Sequence, residues 1–591
     1  MKYPTLAEMN ASREWLDVFR GYNHNLRISE GEFYEMTNLS SDNYPILSPR
    51  SKRGIYKTPT TPQGLIAKDA LCYIDGSKFV INEYPVDMGL SVDKDDDKKI
   101  IPKTLISMGA YVIIMPDKKY INTADYTDFG NIEAAITTTG EVGFELCKVD
   151  GSAYENTKVQ ATAPEITDEM EADPSKIPLW LDTSSEPHSL KQYSTSSAMW
   201  STIGTTYIKI TATGIGKPFE VNDGVTISGV ESEALADLNA SIIIHAKGDD
   251  YIVVTGILDK VTTQNKSITV ERRMPEMDFI VESGNRLWGC RYGPQGDQIV
   301  NEIYASKLGD FKNWSCYQGI STDSYAASVG TDGQFTGAIT YLGYPIFFKE
   351  NFMHKIYGNY PANYQIQTTA CRGVQKGCGK SLAIVNEALY YKARSGVCVY
   401  DGSLPQEISA ALGDMAYSKA VAGYIGNKYY ISMCDVEGDY HLFVYDTLKG
   451  MWHREDRTEA LAFCNCRGDL YFIDYADNQI KTVKGTGVKD TKTIHWEAVT
   501  GVLGTDSPDK KYISRLDVRM LLAVGTRVNF YVEYDSSEEW KHLFSMDGVS
   551  LQSFAVPIRP QRCDHLRLKI VGDGDAKIYS ICKTIEWGSD M

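Results

Sequence analysis

Seven short phrases constrain the fold of this chain more than any other feature. Each is a turn bearing Gly or Asn, followed by three to five β-forming residues: YIDGSKFVI (Tyr73 to Ile81), SMGAYVII (Ser107 to Ile114), ESGNRLWGC (Glu282 to Cys290), YLGYPIFF (Tyr341 to Phe348), IVNEALYYK (Ile384 to Lys392), YIGNKYYIS (Tyr424 to Ser432) and CRGDLYFID (Cys466 to Asp474). Gly and Asn tolerate the positive φ that tight turns require, so each phrase predicts a hairpin. A second short strand ending in Asp or Gly follows most of them, as in EIYASKLGD, MHKIYGN, VCVYDGS, LFVYDTLKG and QIKTVKG. The last four turns, at Gly343, Asn386, Gly426 and Gly468, lie 43, 40 and 42 positions apart. Four strands in about 40 to 50 residues is the repeat of a β-propeller blade. Turn chemistry shared by all antiparallel proteins also produces such phrases, and a sandwich has short strands too, but neither keeps a steady period.

The period breaks once, between Gly109 and Gly284. TAPEITDEMEADPSKIPLWLDTSSEPHSLKQYSTSS, rich in Pro, Ser, Thr and acids, reads as linker. TTYIKITATG, FEVNDGVTISG, NASIIIHAKGDDYIVVTG and NKSITVERR then alternate as short strands, enough for a small β-barrel or sandwich inserted in a surface connection. Beyond about residue 490 the phrases stop. In VNFYVEYD, Val528, Phe530 and Val532 share one face, and in HLRLKIVG so do Leu566, Leu568 and Ile570. Half-buried antiparallel strands of this kind predict a jelly-roll-like β-sandwich.

The expectation is an all-β protein: a β-propeller of six or seven blades with the insertion and a C-terminal sandwich. Residues 1–127 would hold an N-terminal segment and the first blades, and 128–204 the linker and start of the insertion. The inserted domain would be 205–275, the remaining blades 276–489 and the sandwich 490–591. A length of 591 residues suits two to four domains. The segment up to about residue 60 is expected to close the ring by pairing with the last blade, which buries two open strand edges.

Charge narrows function. A formal net charge of -17 gives no general reason to grip nucleic acid, because phosphate binding rests on Lys and Arg. MKYPTLAEMNASREWLDVF has no apolar core segment and does not read as a signal peptide. AYVIIMP and SIIIHA are far shorter than the roughly 20 residues of a membrane helix, so a soluble chain made in a cytosol is expected. The 12 Cys residues are scattered; Cys371 with Cys378 and Cys464 with Cys466 lack zinc spacing and read as reduced packing residues.

Motifs for chemistry are sparse. DKDDDKK (Asp93 to Lys99) and CDVEGDY (Asp435, Glu437, Asp439) space carboxylates as calcium loops do, yet lack the Gly and distal Glu of an EF-hand and read as hairpin tips. GDGDA (Gly572 to Ala576) reads as a turn. YDSSEEW (Tyr534 to Trp540) has the Asp-to-Trp spacing of a sialidase Asp-box, with Ser537 in place of Gly. GIGKP at Gly214 lacks the rest of a phosphate loop, and there is no G-x-S-x-G elbow, P-loop or H-E-x-x-H. A glycosidase needs two carboxylates at a set distance, and no pair stands out among 77 acids. The expectation is therefore no enzyme, with no catalytic, cofactor-binding or metal residues and no cofactor.

One family resembles this chain. GEFYEMTNLSSDNYPILSPRSKRGIY is similar to the opening of phage propeller proteins, in which an N-L-x-x-x-x-Y-P-x-L-x-x-R phrase precedes the first blade; Asn38, Leu39, Tyr44, Pro45, Leu47 and Arg50 match it. NRLWGC…NEIYASKLGDFKNW and the closing IEWGSD also resemble the tail nozzle, or packaged-DNA stabilisation protein, of short-tailed phages and related tail-tip proteins. The likeness spans most of the chain outside Thr127 to Met274. It implies a structural virion protein, assembled in the bacterial cytoplasm as a homo-oligomeric ring of six copies or one associated with a dodecamer. Portal and adaptor proteins would be its partners, with tail fibre or needle proteins and DNA passing without specific binding. Alternatives that stay open are a carbohydrate- or receptor-binding adhesin, stacking Tyr and Trp on sugars, and a propeller glycoside hydrolase.

Overall fold

The computed structural model describes residues 11–96, 98–296, 298–489, 492–504, 510–558 and 561–587. The protein is nearly all β, with 51% strand against 4% helix, which rules out a helical body. Parallel pairing among the described strands is confined to two short contacts, Gly21–Tyr22 with Glu32–Thr37 and Lys158–Gln160 with Trp180–Asp182.

Seven antiparallel sheets repeat along the chain. Their first strands are Pro62–Ala67, Thr104–Met108, Phe279–Ser283, Phe335–Tyr341, Ala383–Val385, Ser418–Ile425 and Ala460–Cys466. These strands pack on one another in succession; the short 3-10 turn Gly379–Ser381 bridges the fourth and fifth sheets, and Ala460–Cys466 returns to touch Pro62–Ala67. Six of the seven phrases are the turn between first and second strands, with φ of +81° at Gly343, +46° at Asn386, +55° at Gly426 and +78° at Gly468. YIDGSKFVI is the exception. It spans the second and third strands, Leu71–Asp75 and Lys78–Ile81, and the first turn of that sheet is Lys68 to Ala70. Local turn chemistry marks a hairpin but not which hairpin of a sheet it is.

The seventh sheet takes its fourth strand from the N-terminal segment: Gly54–Lys57 pairs antiparallel with Gln479–Thr482. The sixth sheet continues outward through Gly21–Tyr22 and Glu32–Thr37 into His495–Thr500, Leu566–Asp573, Arg527–Tyr534 and Lys541–Asp547, one ten-stranded sheet. A four-stranded sheet, containing Ala11–Leu16, Ala576–Trp587, Lys511–Leu522 and Gln552–Val556, covers the distal part. Tyr429, Phe443, Trp452, Phe33, Trp496, Phe530 and Ile570 therefore belong to one continuous apolar cluster. The alternation read from sequence holds for Val528, Phe530, Val532, Leu566, Leu568 and Ile570, all buried.

Between the second and third sheets the chain leaves for residues 134–272. Two sheets share one core there, with Val142, Phe144, Ile208, Ile210, Val225, Ile227, Ile252 and Val254 buried between them. Where composition suggested a linker, Lys158–Gln160, Trp180–Asp182, Ser189–Ser194 and Met199–Thr202 form a further four-stranded sheet. Trp180 and Trp200 pack edge to face at 5.5 Å within it, an apolar contact that a count of Pro, Ser and Thr cannot reveal.

The insertion is latched to the third sheet by a buried network. Asp223 pairs with Arg272 and accepts from Asn313 Nδ2 at 2.9 Å, while Asn313 Oδ1 accepts from the Gly224 amide at 2.9 Å. Asp223, Arg272 and Asn313 are 3%, 5% and 1% exposed, so an uncompensated charge there has no access to water. Asp223→Ala is expected to destabilise the insertion by about 3–5 kcal/mol. Hydrogen exchange should then speed up across residues 207–272 and stay unchanged at Tyr429 to Cys434.

Candidate functional site

Three places gather polar groups from distant parts of the chain. The first is the joint around the N-terminal phrase. Asn38, at φ +55°, donates its amide to the Glu455 carbonyl and its Nδ2 to the His495 carbonyl at 2.8 Å. Arg50 Nε donates back to Asn38 Oδ1 at 2.8 Å, and Leu39 and Leu47 are buried in the continuous core. Pro45 offers its carbonyl to the Phe19 amide. Three residues on, Arg53 pairs with Glu455 at 3.0 Å and Asp456 at 2.8 Å and lies over the Phe472 ring. The phrase thus ties the sixth and seventh sheets to the C-terminal layers.

The second place is the connection between the first and second sheets, residues 91–96 and 98–103. The DKDDDKK run is an exposed hairpin tip there, as its sequence suggests: Lys94 bridges Ile100 antiparallel and the Asp95 amide donates to the Lys99 carbonyl. Asp95 closes the turn by accepting from the Lys99 amide at 2.7 Å, Lys99 pairs with Glu459 of the seventh sheet at 2.7 Å, and Lys103 pairs with Asp117 at 2.5 Å. Asp97 lies outside the described residues. From the 3-10 turn Gly379–Ser381, Lys380 Nζ reaches over to the Pro102 carbonyl at 2.9 Å. Burial without a carboxylate partner among the described residues pushes the Lys380 ammonium down to about 8. A lysine lowered by folding binds fewer protons folded than unfolded, so stability should rise with pH from about 8 toward the ordinary lysine range. In Lys380→Met that rise should flatten, as read by urea denaturation at successive pH values.

The third is an open groove of about 690 Å³ at the root of the insertion, lined by Lys118, Glu133, Glu276, Tyr304, Trp314 and Tyr317 among others. Lys118 Nζ holds Glu133 at 2.9 Å and Glu276 at 2.6 Å. Burial lowers the Lys118 ammonium, and the two carboxylates outweigh it, so its proton is held above the ordinary range. Tyr317 is 59% exposed at the rim. Sequence reasoning could not nominate this pair: the two acids are far apart in the chain, neither sits in a distinctive phrase, and only the packing of the insertion brings them together.

The remaining motifs are structural. Asp435 accepts from the amides of Glu437 and Asp439 and from His441 Nε2 at 2.8 Å, which makes a closed hairpin tip. In GDGDA, Gly572 is a strand residue whose bare Cα receives the Trp496 ring, and the turn is Gly574 at φ +104°. Asp535 of the Asp-box-like phrase accepts from the Asp564 amide at 2.7 Å, and Trp540 folds over Arg567 and Lys569. GIGKP keeps Gly216 against the backbone of Gly248 inside the insertion. Every cysteine is free, and burial pushes Cys72 and Cys464 up to about 12, which suppresses thiolate chemistry. Among the described residues no group of three His, Cys, Asp or Glu is placed to hold a metal, and no helix is long and apolar enough to cross a membrane. The end of IEWGSD, from residue 588, lies outside the described residues.

No family model and no curated protein matches the chain. Among solved structures it is similar to the exo-β-1,3-galactanase of Phanerochaete chrysosporium, at 9% identity over 52% of this chain and 94% of that one, TM-score 0.21. A second is an engineered GH43 glycoside hydrolase with endo-xylanase and exo-arabinofuranosidase activity, at 10% identity over 52% and 97%, TM-score 0.20. A third is the extracellular domain of a hybrid two-component system from B. thetaiotaomicron, at 10% identity over 94% and 97%, TM-score 0.17. Likeness at these TM-scores transfers neither a detailed fold nor an activity. The glycoside hydrolases among these neighbours nevertheless correct the expectation that the chain is no enzyme, and that exclusion is withdrawn.

Proposed function

We propose that this chain is a structural component of a phage tail, a nozzle or tail-tip protein, and that its seven sheets form a seven-bladed β-propeller. Copies would assemble as a ring below the portal and adaptor and enclose the passage for packaged DNA. The observation that carries this reading is the placement of Asn38, Leu39, Tyr44, Pro45, Leu47 and Arg50. These residues carry the family resemblance, and they sit in the joint that fastens the sheets to the C-terminal layers. A tail component under DNA pressure needs its parts fastened together, and this joint supplies that. In this reading the passage lies between copies, because within each one Lys380 meets the Pro102 carbonyl and Lys99 meets Glu459. A net charge of -17 favours passage of DNA without adhesion.

The test is co-expression with the portal and adaptor proteins of the same genome, followed by purification and negative-stain imaging. A ring joined to the portal complex is the expected result. A chain that stays monomeric and apart from that complex overturns the proposal.

The groove at the insertion root favours a second reading, a glycan-directed adhesin or hydrolase. Two carboxylates share one ammonium, at 2.9 and 2.6 Å, and so are near neighbours, as the acid pair of a glycosidase must be. An exposed Tyr317 beside them offers a face for a sugar ring. It ranks second because a general acid needs an apolar seat, and here an ammonium sits between the carboxylates. Reducing-sugar release from a polysaccharide panel, lost in Glu276→Gln, would establish it; no release and no glycan binding would remove it.

A further inference from the structure

Between the N-terminal segment and the sixth and seventh sheets lies a cavity of about 240 Å³. Its wall carries Arg50, Arg53, Lys428 and Lys484 against Asp42 and Glu455. Arg53 pairs through its terminal nitrogens with Glu455 and with Asp456 behind it, and Lys428 with Asp42 at 2.6 Å and Ser40 at 3.1 Å. The other two cations have no carboxylate of their own. Arg50 donates to Asn38 Oδ1 at 2.8 Å and to the Ser51 carbonyl at 3.0 Å but reaches the carboxylates that Arg53 already holds only at 3.6 and 3.5 Å, and burial and the Arg53 charge beside it lower its pKa. Lys484, exposed at the cavity mouth, donates its Nζ to the Gly468 carbonyl at 3.2 Å and has no carboxylate partner among the described residues.

Two groups add an independent sign. The buried Arg53 Nε on this wall has no hydrogen-bond partner among the described residues, and Tyr430 lines the cavity at 4% exposed. Burial, then the charges of Glu455 and Asp42, hold its proton far above the ordinary tyrosine range, so the hydroxyl is a standing donor. A buried donor such as Arg53 Nε is costly when left unmatched, and native structures rarely keep one. Behind Lys428, burial and that lysine push His453 down to about 3, so the surroundings keep the imidazole neutral.

We propose that this cavity binds a small inorganic oxyanion of the phosphate or sulfate class. The anion accepts from the Tyr430 hydroxyl and neutralises Arg50 and Lys484. It thereby links the N-terminal segment to both sheets next to the strand that completes the seventh. This site is independent of the tail or glycan reading, since it concerns how the body is held together.

Calorimetric titration of the full chain with inorganic phosphate, in chloride buffer at constant ionic strength, is the test, with thermal melts in the same buffers. Saturable binding of one phosphate per chain is expected, competed by sulfate, together with a rise in Tm. Lys484→Met should weaken binding about tenfold or more and remove the phosphate-dependent part of the rise, while melting in chloride near wild type. Tyr430→Phe gives a second variant that keeps the ring and the fold. Absence of heat with wild type, or an equal Tm rise in wild type and both variants, overturns the proposal as a general salt effect. Displacement of phosphate by a short single-stranded oligonucleotide would overturn the free-ion assignment, since the chain phosphate would then be the ligand.

Discussion

Arg53→Met is expected to lower stability by about 3–5 kcal/mol, a large part of what a folded body of this kind possesses. Removing the guanidinium leaves Glu455, 3% exposed, and its neighbour Asp456 facing each other without their main cation. Arg50 cannot take over, because its distances to both are already 3.6 and 3.5 Å. The pH dependence carries the same signature. Burial alone would raise the Asp456 carboxyl, and Arg53 and then Arg50 outweigh it, so the group is held below the ordinary range. A carboxylate lowered by folding contributes stability above its unfolded pKa and loses it as pH falls through the folded value. Wild type should therefore weaken steeply in acid, and Arg53→Met should show a shallower acid slope from a lower starting point. Denaturant unfolding at neutral and acid pH reads both effects, and parallel curves would contradict the assignment. A companion Glu455→Gln change in the Arg53→Met background should recover part of the loss, because it removes the orphaned charge.

Truncation at the N-terminus should have a larger effect. Deleting Met1 to Arg53 removes the strands Gly21–Tyr22 and Glu32–Thr37 from the middle of the ten-stranded sheet and strips six buried side chains, Phe19, Tyr22, Phe33, Met36, Leu39 and Leu47, from the shared core. At roughly 1.5–3 kcal/mol each, their loss is on the order of 10 kcal/mol and matches the whole stability of an ordinary domain. Deleting as far as Lys57 also takes the strand that pairs with Gln479–Thr482 and leaves an open edge on the seventh sheet. The first truncation should melt far below the full chain, and the second should aggregate on expression. A truncated chain melting within a few degrees of wild type would contradict the role given to this segment.

How much of this was legible beforehand differs by element. The hairpin turns were, because Gly and Asn at positive φ are a requirement of the turn itself, and Gly343, Asn386, Gly426 and Gly468 adopt it. The buried faces of Val528 to Val532 and Leu566 to Ile570 were legible for a similar reason, since side chains alternate along any strand. The sheet at Lys158 to Thr202 was not, because Trp180 and Trp200 meet across the intervening strand Ser189–Ser194 in polar surroundings. Neither were Glu133 with Glu276, or Arg53 with Glu455: each acid reads as one of 77 until the fold gives it a partner.

By itself the sequence determined the class of local structure, short antiparallel strands joined by tight turns at a near-constant spacing, because turn and strand preferences act over a few residues. Tertiary structure decided the rest. It chose which sheet the N-terminal strands complete, carried one sheet into the C-terminal layers, and placed charges from opposite ends of the chain within bonding distance. Those outcomes depend on contacts between residues hundreds of positions apart, and the free energy of such a contact belongs to the pair, so neither residue's neighbourhood in the chain records it.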